Sequence, residues 1–341
     1  MVQSIRQGGT LYNFVPFADK FLPDAAVLLA ARHQRDRQRC PALPVRLEDP
    51  AEALKAVRAA WQQPWASGAA ILAGEQLIGY LFADKLFDQL LGRTAWVRSA
   101  GHALAKGVSC DLYQELYAAA APSWLAYGCF DHYVMAAADD QELLAAWYSL
   151  GFGQQQAYGL RPIELADGSP TGESGRMTVR SAGPADRERF AAMAPLTAEY
   201  QVQAPVWAPV PAEIGAARPA MYGSVLDDED AMLWLAEVDG QVIAFQVYYP
   251  AEPQAYDLFV PNQCAELAAA ATEPAWRGQG ASRALAQHAL KNLYQQGYQW
   301  CLTDWRTANP LSSRAWPHLG YQRVVYRLHR RIDERILWAR G

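Results

Sequence analysis

The C-terminal half of the chain alternates between apolar segments with the two-residue period of a strand and segments with the period of a helix. The pair Asp239-Gly240, between two apolar runs, is the strongest short signal for a β-hairpin. Leu285, Ala289 and Leu293 recur every four residues and mark one apolar helix face. The predicted strands are 177–181, 232–238, 242–248, 267–271, 300–303 and 323–330; the predicted helices are 184–193, 310–318 and one that contains Leu285 and Leu293, while 205–219 is a proline-broken, partly helical region. This order predicts an α/β fold of mixed α+β character, with a mixed, largely antiparallel twisted sheet flanked by helices.

The N-terminal half repeats the pattern. Residues 128–152 align with residues 297–321 without a gap, and in that frame Trp147 matches Trp316 and Phe152 matches Tyr321. A second hairpin signal at Gly74 corresponds to Asp239-Gly240. The sequence therefore predicts a tandem duplication, with domains 1–166 and 176–341 joined by the polar linker 167–175.

Composition and charge exclude several classes of protein. A 51% hydrophobic, 19% charged chain forms a core, and a net charge of -5 argues against nonspecific nucleic-acid binding. The first residues lack the apolar core of a signal peptide and no apolar run has the length of a membrane span, so we expect no membrane partner and a cytoplasmic location. The five scattered cysteines include no CxxC, which predicts reduced thiols and no metal site.

A glycine-rich turn links the strand at 267–271 to the helix that follows it. The turn reads Arg277-Gly278-Gln279-Gly280-Ala281-Ser282. Glycines allow positive φ and a close approach of a ligand to the main chain. The helix N-terminus adds free N–H donors and a partial positive charge, a combination that binds phosphate. On these residues alone, a phosphate-binding turn and an ordinary tight turn are equally open.

Two motifs together resemble the GNAT superfamily of N-acetyltransferases. The turn is similar to that family's acyl-CoA loop, Q/R-x-x-G-x-G/A, with Ser282 at its last position. The run from Asn309 to Tyr321 is similar to N-x-x-A/S-x-x-x-Y-x-x-x-G-F/Y, with Ser312 at the fourth position and Trp316 in place of the tyrosine. The resemblance covers about 176–331 well and the N-terminal half faintly, which implies two tandem GNAT-like domains.

The resemblance implies a site for acetyl-CoA as co-substrate. Backbone N–H groups of the turn would bind the pyrophosphate, and the main chain of the preceding strand would pair with the pantetheine arm and supply an oxyanion donor. The implied cofactor-binding residues are Leu267, Ala269, Ala271, Thr272, Arg277, Gly278, Gln279, Gly280, Ala281, Ser282, Asn309 and Ser312. In the N-terminal half Asp111 falls on Gly280 and closely spaced glycines are missing, so we expect a degenerate copy that binds no acyl-CoA.

The implied reaction is direct attack of an amine on acetyl-CoA in a ternary complex. Glu266 and Asp304, on neighbouring predicted strands, are candidate general bases, although capped or salt-paired carboxylates have the same pattern. Trp316 is a donor only and cannot shuttle a proton, so we assign it to packing. Cys264 and Cys301 are candidate nucleophiles only in principle, because neither has a histidine nearby in the sequence.

The acceptor is not readable from the sequence. Tyr248, Tyr249 and Trp234 are candidate substrate contacts, but half-buried sheet residues look the same. The aromatic content favours a small-molecule amine. The alternative function is a non-catalytic acyl-CoA-binding or sensor protein, and the sequence leaves monomer and homodimer undetermined.

Overall fold

A computed structural model describes residues 3–7, 10–164, 176–208 and 210–339, so the predicted linker 167–175 lies outside the described residues. The strands are β1 (Gln3–Gln7), β2 (Thr10–Pro16), β3 (Ser67–Ala73), β4 (Gln76–Asp88), β5 (Gly92–Val97), β6 (His102–Leu104), β7 (Asp131–Ala137), β8 (Gly153–Pro162), β9 (Met177–Ser181), β10 (Met232–Val238), β11 (Gln241–Pro250), β12 (Cys264–Thr272), β13 (Trp300–Arg306) and β14 (Gln322–Arg331). The helices are α1 (Leu22–Arg39), α2 (Pro50–Trp61), α3 (Leu112–Ala126), α4 (Gln141–Ser149), α5 (Arg187–Ala192), α6 (Pro195–Gln201), α7 (Ala212–Ser224), α8 (Ala281–Gln295) and α9 (Pro310–His318). This confirms the predicted mixed α/β class.

The chain divides into two compact units. Unit 1 comprises Met1–Ala157, Pro253–Val260 and Arg323–Gly341, and unit 2 comprises Tyr158–Glu252 and Pro261–Gln322. These units are not the two continuous segments 1–166 and 176–341 predicted from the sequence. Each contains a strand, or part of one, from the other segment: unit 1 includes nearly all of β14, and unit 2 includes the second half of β8.

Unit 1 is a sheet with helices on both faces. Its strands lie in the order β1-β2-β3-β4-β5-β7-β14, with β6 also paired to β4. Neighbours are antiparallel except β5 and β7, which are parallel. Apolar residues of α3 and α4 pack on one face, around Trp124 and Trp147, and those of α1 and α2 pack on the other, around Tyr80 and Phe82.

Unit 2 has the same plan. Its strands lie in the order β8-β13-β12-β11-β10-β9. The β12–β13 pair is parallel, and β9 to β12 are antiparallel to one another. Helix α8 packs on one face through Ala281 and Leu285, and α5 to α7 cover the other face around Phe190 and Phe245. We call these the α8 face and the α5–α7 face.

Element boundaries confirm the duplication. The helices α3 and α8, the strands β7 and β13, the helices α4 and α9, and the strands β8 and β14 each differ by 169 residues at both ends. Strands β3 and β10 differ by 165 at both ends, so the C-terminal copy carries four more residues between its hairpin and α8 than the N-terminal copy carries between its hairpin and α3. Paired glycines keep the left-handed backbone, with φ of 79° at Gly151 and 88° at Gly320. Among the described residues, no helix is long and apolar enough to cross a membrane.

Candidate acyl-CoA site

Strands β12 and β13 separate partway along their length. Their pairing runs from Cys264↔Trp300 to Leu267↔Thr303, although β12 continues to Thr272 and β13 to Arg306. The Thr303 hydroxyl donates to the Leu267 carbonyl oxygen at 3.0 Å, and so closes the paired end. Beyond that point β12 presents backbone polar groups on the side that faces away from β11. Such groups need hydrogen-bond partners, and an extended ligand can supply them as an added strand does.

A β-bulge lies at this point of separation. Val247 of β11 pairs with Ala269, but the next residue, Tyr248, pairs with Leu267, so Ala268 is an extra residue on β12. Ala268 is exposed, between neighbours that are more buried. Because a bulge redirects the backbone and interrupts the ladder, it re-aims the N–H groups of β12 next to the opening. This bulge could not be predicted, since the alanine run 268–271 has no alternating polarity.

The glycine turn connects β12 to α8. After one 3-10 turn at Pro274–Trp276, Gly278 and Gly280 adopt left-handed conformations with φ of 76° and 90°. A Cβ built on either glycine would meet no atom within 4 Å. The glycines are therefore needed for backbone conformation, and the turn borders open space. Gly280 is the N-cap of α8 and offers no side-chain cap, which leaves the first N–H groups of the helix available to an anion.

Side chains of the turn hold it from the outside. The Arg277 Nε donates to the Thr272 carbonyl oxygen at 3.2 Å, and the Gln279 Nε2 donates to that of Ala275 at 2.9 Å. The exposed Arg277 guanidinium also lies 5.4 Å from the ring centroid of Tyr200 on α6. These contacts fix the turn while its main chain stays uncovered.

A buried polar chain reaches the first turn of α8 from the sheet. The Gln246 Nε2 lies 3.1 Å from the Ser282 carbonyl oxygen and 3.2 Å from its Oγ. The Tyr248 hydroxyl donates to the Gln246 Oε1 at 2.7 Å. Both β11 side chains are fully buried, and burial raises the pKa of Tyr248 well above its ordinary value. The sequence predicted Tyr248 as a substrate contact and did not predict a role for Gln246, although a glutamine inside an apolar strand is itself a signal.

Asn309 caps α9. Its Oδ1 accepts from the backbone N–H groups of Leu311 at 3.0 Å and Ser312 at 3.2 Å. Asp140 caps α4 in unit 1 by accepting from Leu143 N. The two copies therefore share a capping residue at this position, and a helix cap is the observed role of Asn309.

The two candidate bases lie on one face of the unit 2 sheet. Glu266 is directly opposite Tyr249 on β11 and Leu302 on β13, and Asp304 lies two residues beyond Leu302. Residues opposite each other, or two apart on a strand, point to the same face. Tyr249 packs against the apolar cluster of the α5–α7 face. Glu266, Asp304 and Tyr249 are therefore brought together on that face, beside the opening between β12 and β13.

The other two predicted substrate residues point away from this group. Trp234 is opposite Gln246 and has its ring centroid 6.5 Å from that of His288 on α8. Tyr248 bonds Gln246, which contacts Ser282 of α8. Trp234 and Tyr248 are thus on the α8 face, so the three predicted substrate contacts do not form one surface.

Trp316 is a packing residue in this geometry. It is buried and its ring lies 6.0 Å from that of Tyr321, in an edge-to-face arrangement. Trp147 makes the same contact with Phe152 at 5.1 Å in unit 1. The Tyr321 hydroxyl lies 3.1 Å from the Cys301 Sγ, and burial raises the pKa of that thiol to about 12. A buried, protonated thiol is a poor nucleophile.

The corresponding position in unit 1 is filled by side chains. Pairing of β5 with β7 ends at Val97↔Val134, because β5 ends at Val97 while β7 continues to Ala137. From β6, which pairs with β4, the His102 Nε2 lies 3.0 Å from the Met135 carbonyl oxygen of β7, and its Nδ1 lies 2.9 Å from the Tyr113 hydroxyl. Since the carbonyl only accepts, Nε2 donates and Nδ1 accepts. Arg32 of α1 donates to the carbonyl oxygens of His102 and Ser99. This network lies in unit 1 between β6, β7 and α3, the elements that correspond to the end of β12, to β13 and to α8 in unit 2.

Comparison with known proteins agrees with this asymmetry. The family model described as Acetyltransferase (GNAT) family matches residues 198–321, which contain the glycine turn and the Asn309 run. No curated protein sequence matches the chain at a significant level.

Solved structures match over nearly the whole chain. A GCN5-related N-acetyltransferase from Sphaerobacter thermophilus is similar with a TM-score of 0.56 at 17% identity, covering 94% of this chain and 97% of that one. A tandem GNAT protein from the clavulanic acid biosynthesis pathway has a TM-score of 0.51 at 15% identity, covering 94% and 98%. At such identities the likeness establishes the fold: two tandem copies of one α/β plan.

Proposed function

Because residues 198–321 match the model of the acetyltransferase (GNAT) family, we propose that unit 2 transfers an acetyl group from acetyl-CoA to a small-molecule amine. The observation that carries this proposal is the opening between β12 and β13 next to an uncovered glycine turn. An extended thioester arm and a pyrophosphate need these two features side by side.

The cofactor would bind mostly through backbone. The main chain of Leu267, Ala269, Ala271 and Thr272 would pair with the pantetheine amides as an added strand does. The N–H groups from Arg277 to Ser282 would bind the pyrophosphate at the N-terminus of α8. Asn309 and Ser312 would act less directly, because Asn309 caps α9 and so fixes the helix beside β13.

The reaction is direct acyl transfer. The amine loses a proton to a carboxylate, its nitrogen forms a bond to the thioester carbon, and the carbonyl oxygen becomes an oxyanion. A β12 N–H beside the bulge stabilises that oxyanion. Collapse breaks the carbon–sulfur bond, and the departing CoA thiolate takes the second proton that the nitrogen releases as the amide forms. Glu266 and Asp304 are the candidate bases because they share the α5–α7 face.

The same two carboxylates favour a cationic acceptor. Two negative charges on one face attract a protonated amine and repel an anionic acceptor. Tyr249 beside them offers an aromatic ring, which suits an ammonium group. This supports a small amine, taken up as the ammonium ion and deprotonated in the site.

Coenzyme A release measured with a panel of amines tests the proposal. Release that depends on an amine supports transfer, whereas CoA binding without turnover across the panel supports the alternative, a non-catalytic acyl-CoA sensor. Replacing the true base, by Glu266→Gln or Asp304→Asn, should lower kcat/KM by about 10²–10⁴-fold. The exposed Glu188→Gln on α5 is the control and should leave the rate unchanged.

A further inference from the structure

We propose that Gln246 and Tyr248 are positioning residues that aim the Ser282 hydroxyl at the pyrophosphate of coenzyme A, and that Ser282 binds this group as a hydrogen-bond donor. The proposal rests on the proposed function and adds a side-chain contact to a site otherwise built from backbone. It also gives a role to Ser282, which departs from the glycine or alanine of the family's loop.

The orientation of the Gln246 carboxamide is fixed by its neighbours. One of its ends lies 3.1 Å from the Ser282 carbonyl oxygen. A carbonyl accepts only, so that end is the Nε2 amide. Oε1 then faces Tyr248, whose hydroxyl donates to it at 2.7 Å. Because Gln246 is 0% exposed, exchanging the two ends would leave buried polar atoms without partners.

The same orientation sets the direction of the Ser282 hydroxyl. Ser282 Oγ accepts from Nε2 at 3.2 Å, so its own hydrogen points elsewhere. Among the described residues, the Ser282 hydroxyl donates no hydrogen bond of its own. Ser282 is half-buried in the first turn of α8, two residues after Gly280. The hydroxyl is thus an unused donor beside the uncovered glycine turn, and a phosphate oxygen is an acceptor of the right charge.

Unit 1 has none of the three hydrogen-bonded side chains Tyr248, Gln246 and Ser282 at the equivalent positions. Cross-strand register places Leu81 of β4 where Gln246 is, opposite Ala69 as Gln246 is opposite Trp234. Ala83 occupies the position equivalent to Tyr248, and Tyr113 occupies the position equivalent to Ser282. Leu81 and Ala83 are buried in the apolar core, and the Tyr113 hydroxyl is turned to His102. The fold itself therefore does not need the polar chain, which occurs only in the copy with the open turn.

Measuring the equilibrium affinity for coenzyme A tests the role of these three side chains without requiring turnover. Titration calorimetry would compare coenzyme A with S-acetylpantetheine, which has the arm but no phosphate. Ser282→Ala and Gln246→Leu should each weaken coenzyme A binding by about tenfold, equivalent to about 1.4 kcal/mol. Tyr248→Phe should weaken it less, by about threefold, because it only orients Gln246. Binding of S-acetylpantetheine should not change in any of the three.

A double variant shows whether Gln246 acts by positioning Ser282 or by a general effect on the structure. The double variant of Gln246→Leu and Ser282→Ala should bind no worse than Ser282→Ala alone, and Ser282→Thr should retain binding by keeping the hydroxyl. Ser149→Ala, an exposed helix serine in unit 1, is the control. Unchanged affinity in Ser282→Ala, or equal loss for both ligands, would overturn the proposal. A wild-type protein that binds no coenzyme A would instead overturn the proposed function.

Discussion

At the scale of single residues, the backbone conformation of Gly280 makes a sharp prediction. Gly280→Asp should abolish acetyl-CoA binding, which in the wild type should amount to one molecule per chain because His102 and Arg32 fill the other copy. The added carboxylate would repel phosphate, and an L-residue at φ of 90° costs about 1–2 kcal/mol. Calorimetry measures both the affinity and the stoichiometry.

Gly297→Asp is the matched control for that variant. Gly297 also has φ of 90° and open space around its Cβ, but it follows the C-terminal end of α8. The Gly297→Asp variant should be destabilised about as much as Gly280→Asp, but its affinity for acetyl-CoA should equal that of the wild type. Two sites of equal affinity in the wild type would contradict the assignment of unit 1 as the closed copy.

Residue identity alone predicted the glycine turn, because positive φ and a following helix leave a clear mark in the sequence. It did not predict the Gln246–Ser282 contact, since the partners are 36 residues apart and meet only when α8 packs on β11. The sequence also did not predict to which face of the sheet the side chains of Glu266 and Asp304 point. That face is set by the register of β12 against both of its neighbours, and the bulge at Ala268 shifts that register.

At the scale of elements, buried histidines on β6, β7 and α1 make unit 1 sensitive to acid. Burial lowers the pKa of His102 to about 3, and those of His33 and His132 to about 4. The unfolded chain binds these protons near pH 6.5, so stability is complete above that pH and is lost as the pH falls. When the pH is lowered from 7.5 to 5, each of these histidines should reduce the free energy of unfolding by about 2 kcal/mol.

Denaturant unfolding at the two pH values measures this loss. The His132 Nε2 lies 3.0 Å from the Cys129 carbonyl oxygen, and its Nδ1 lies 2.7 Å from the Tyr117 hydroxyl. His132→Gln removes the titrating group and should reduce the difference between the two pH values, even though it lowers stability at both. If the variant and the wild type show the same pH dependence, His132 does not contribute to the acid sensitivity of unit 1.

The elements of unit 2 followed the sequence closely where periodicity was strong. Strands β9, β10 and helix α9 have the predicted bounds, and β13 runs three residues further than predicted. The proline-broken region was less well predicted, because α7 continues through Pro219 to Ser224. In unit 1 the three-residue β6 escaped prediction. It is too short for periodicity, and its place is set by pairing with β4.

At the scale of the whole chain, the duplicated segments are not self-sufficient. Strand β14, from the C-terminal copy, pairs with β7 in unit 1 over Arg331↔Asp131 to Val325↔Ala137. Residues 158–162 of β8, from the N-terminal copy, belong to unit 2. The sequence predicted a last strand at 323–330, and the gapless repeat 128–152 and 297–321 ends just before β8 and β14. The repeat carried no information about which unit either strand joins, because β8 and β14 have equivalent positions in their copies.

Separate expression of residues 1–164 and 176–341 tests this exchange. Fragment 1–164 lacks β14 and would expose the edge of β7, a row of unpaired backbone groups that favours aggregation. Fragment 176–341 lacks β8. Each fragment alone should be insoluble or unfolded, and coexpression should restore a soluble complex that binds acetyl-CoA. A folded, monomeric 176–341 that binds acetyl-CoA as tightly as the full chain would show that the copies complete their own sheets. Cleavage of the full chain within 165–175 should leave the two pieces together in gel filtration, because the exchanged strands, and not the peptide between the copies, hold each unit complete.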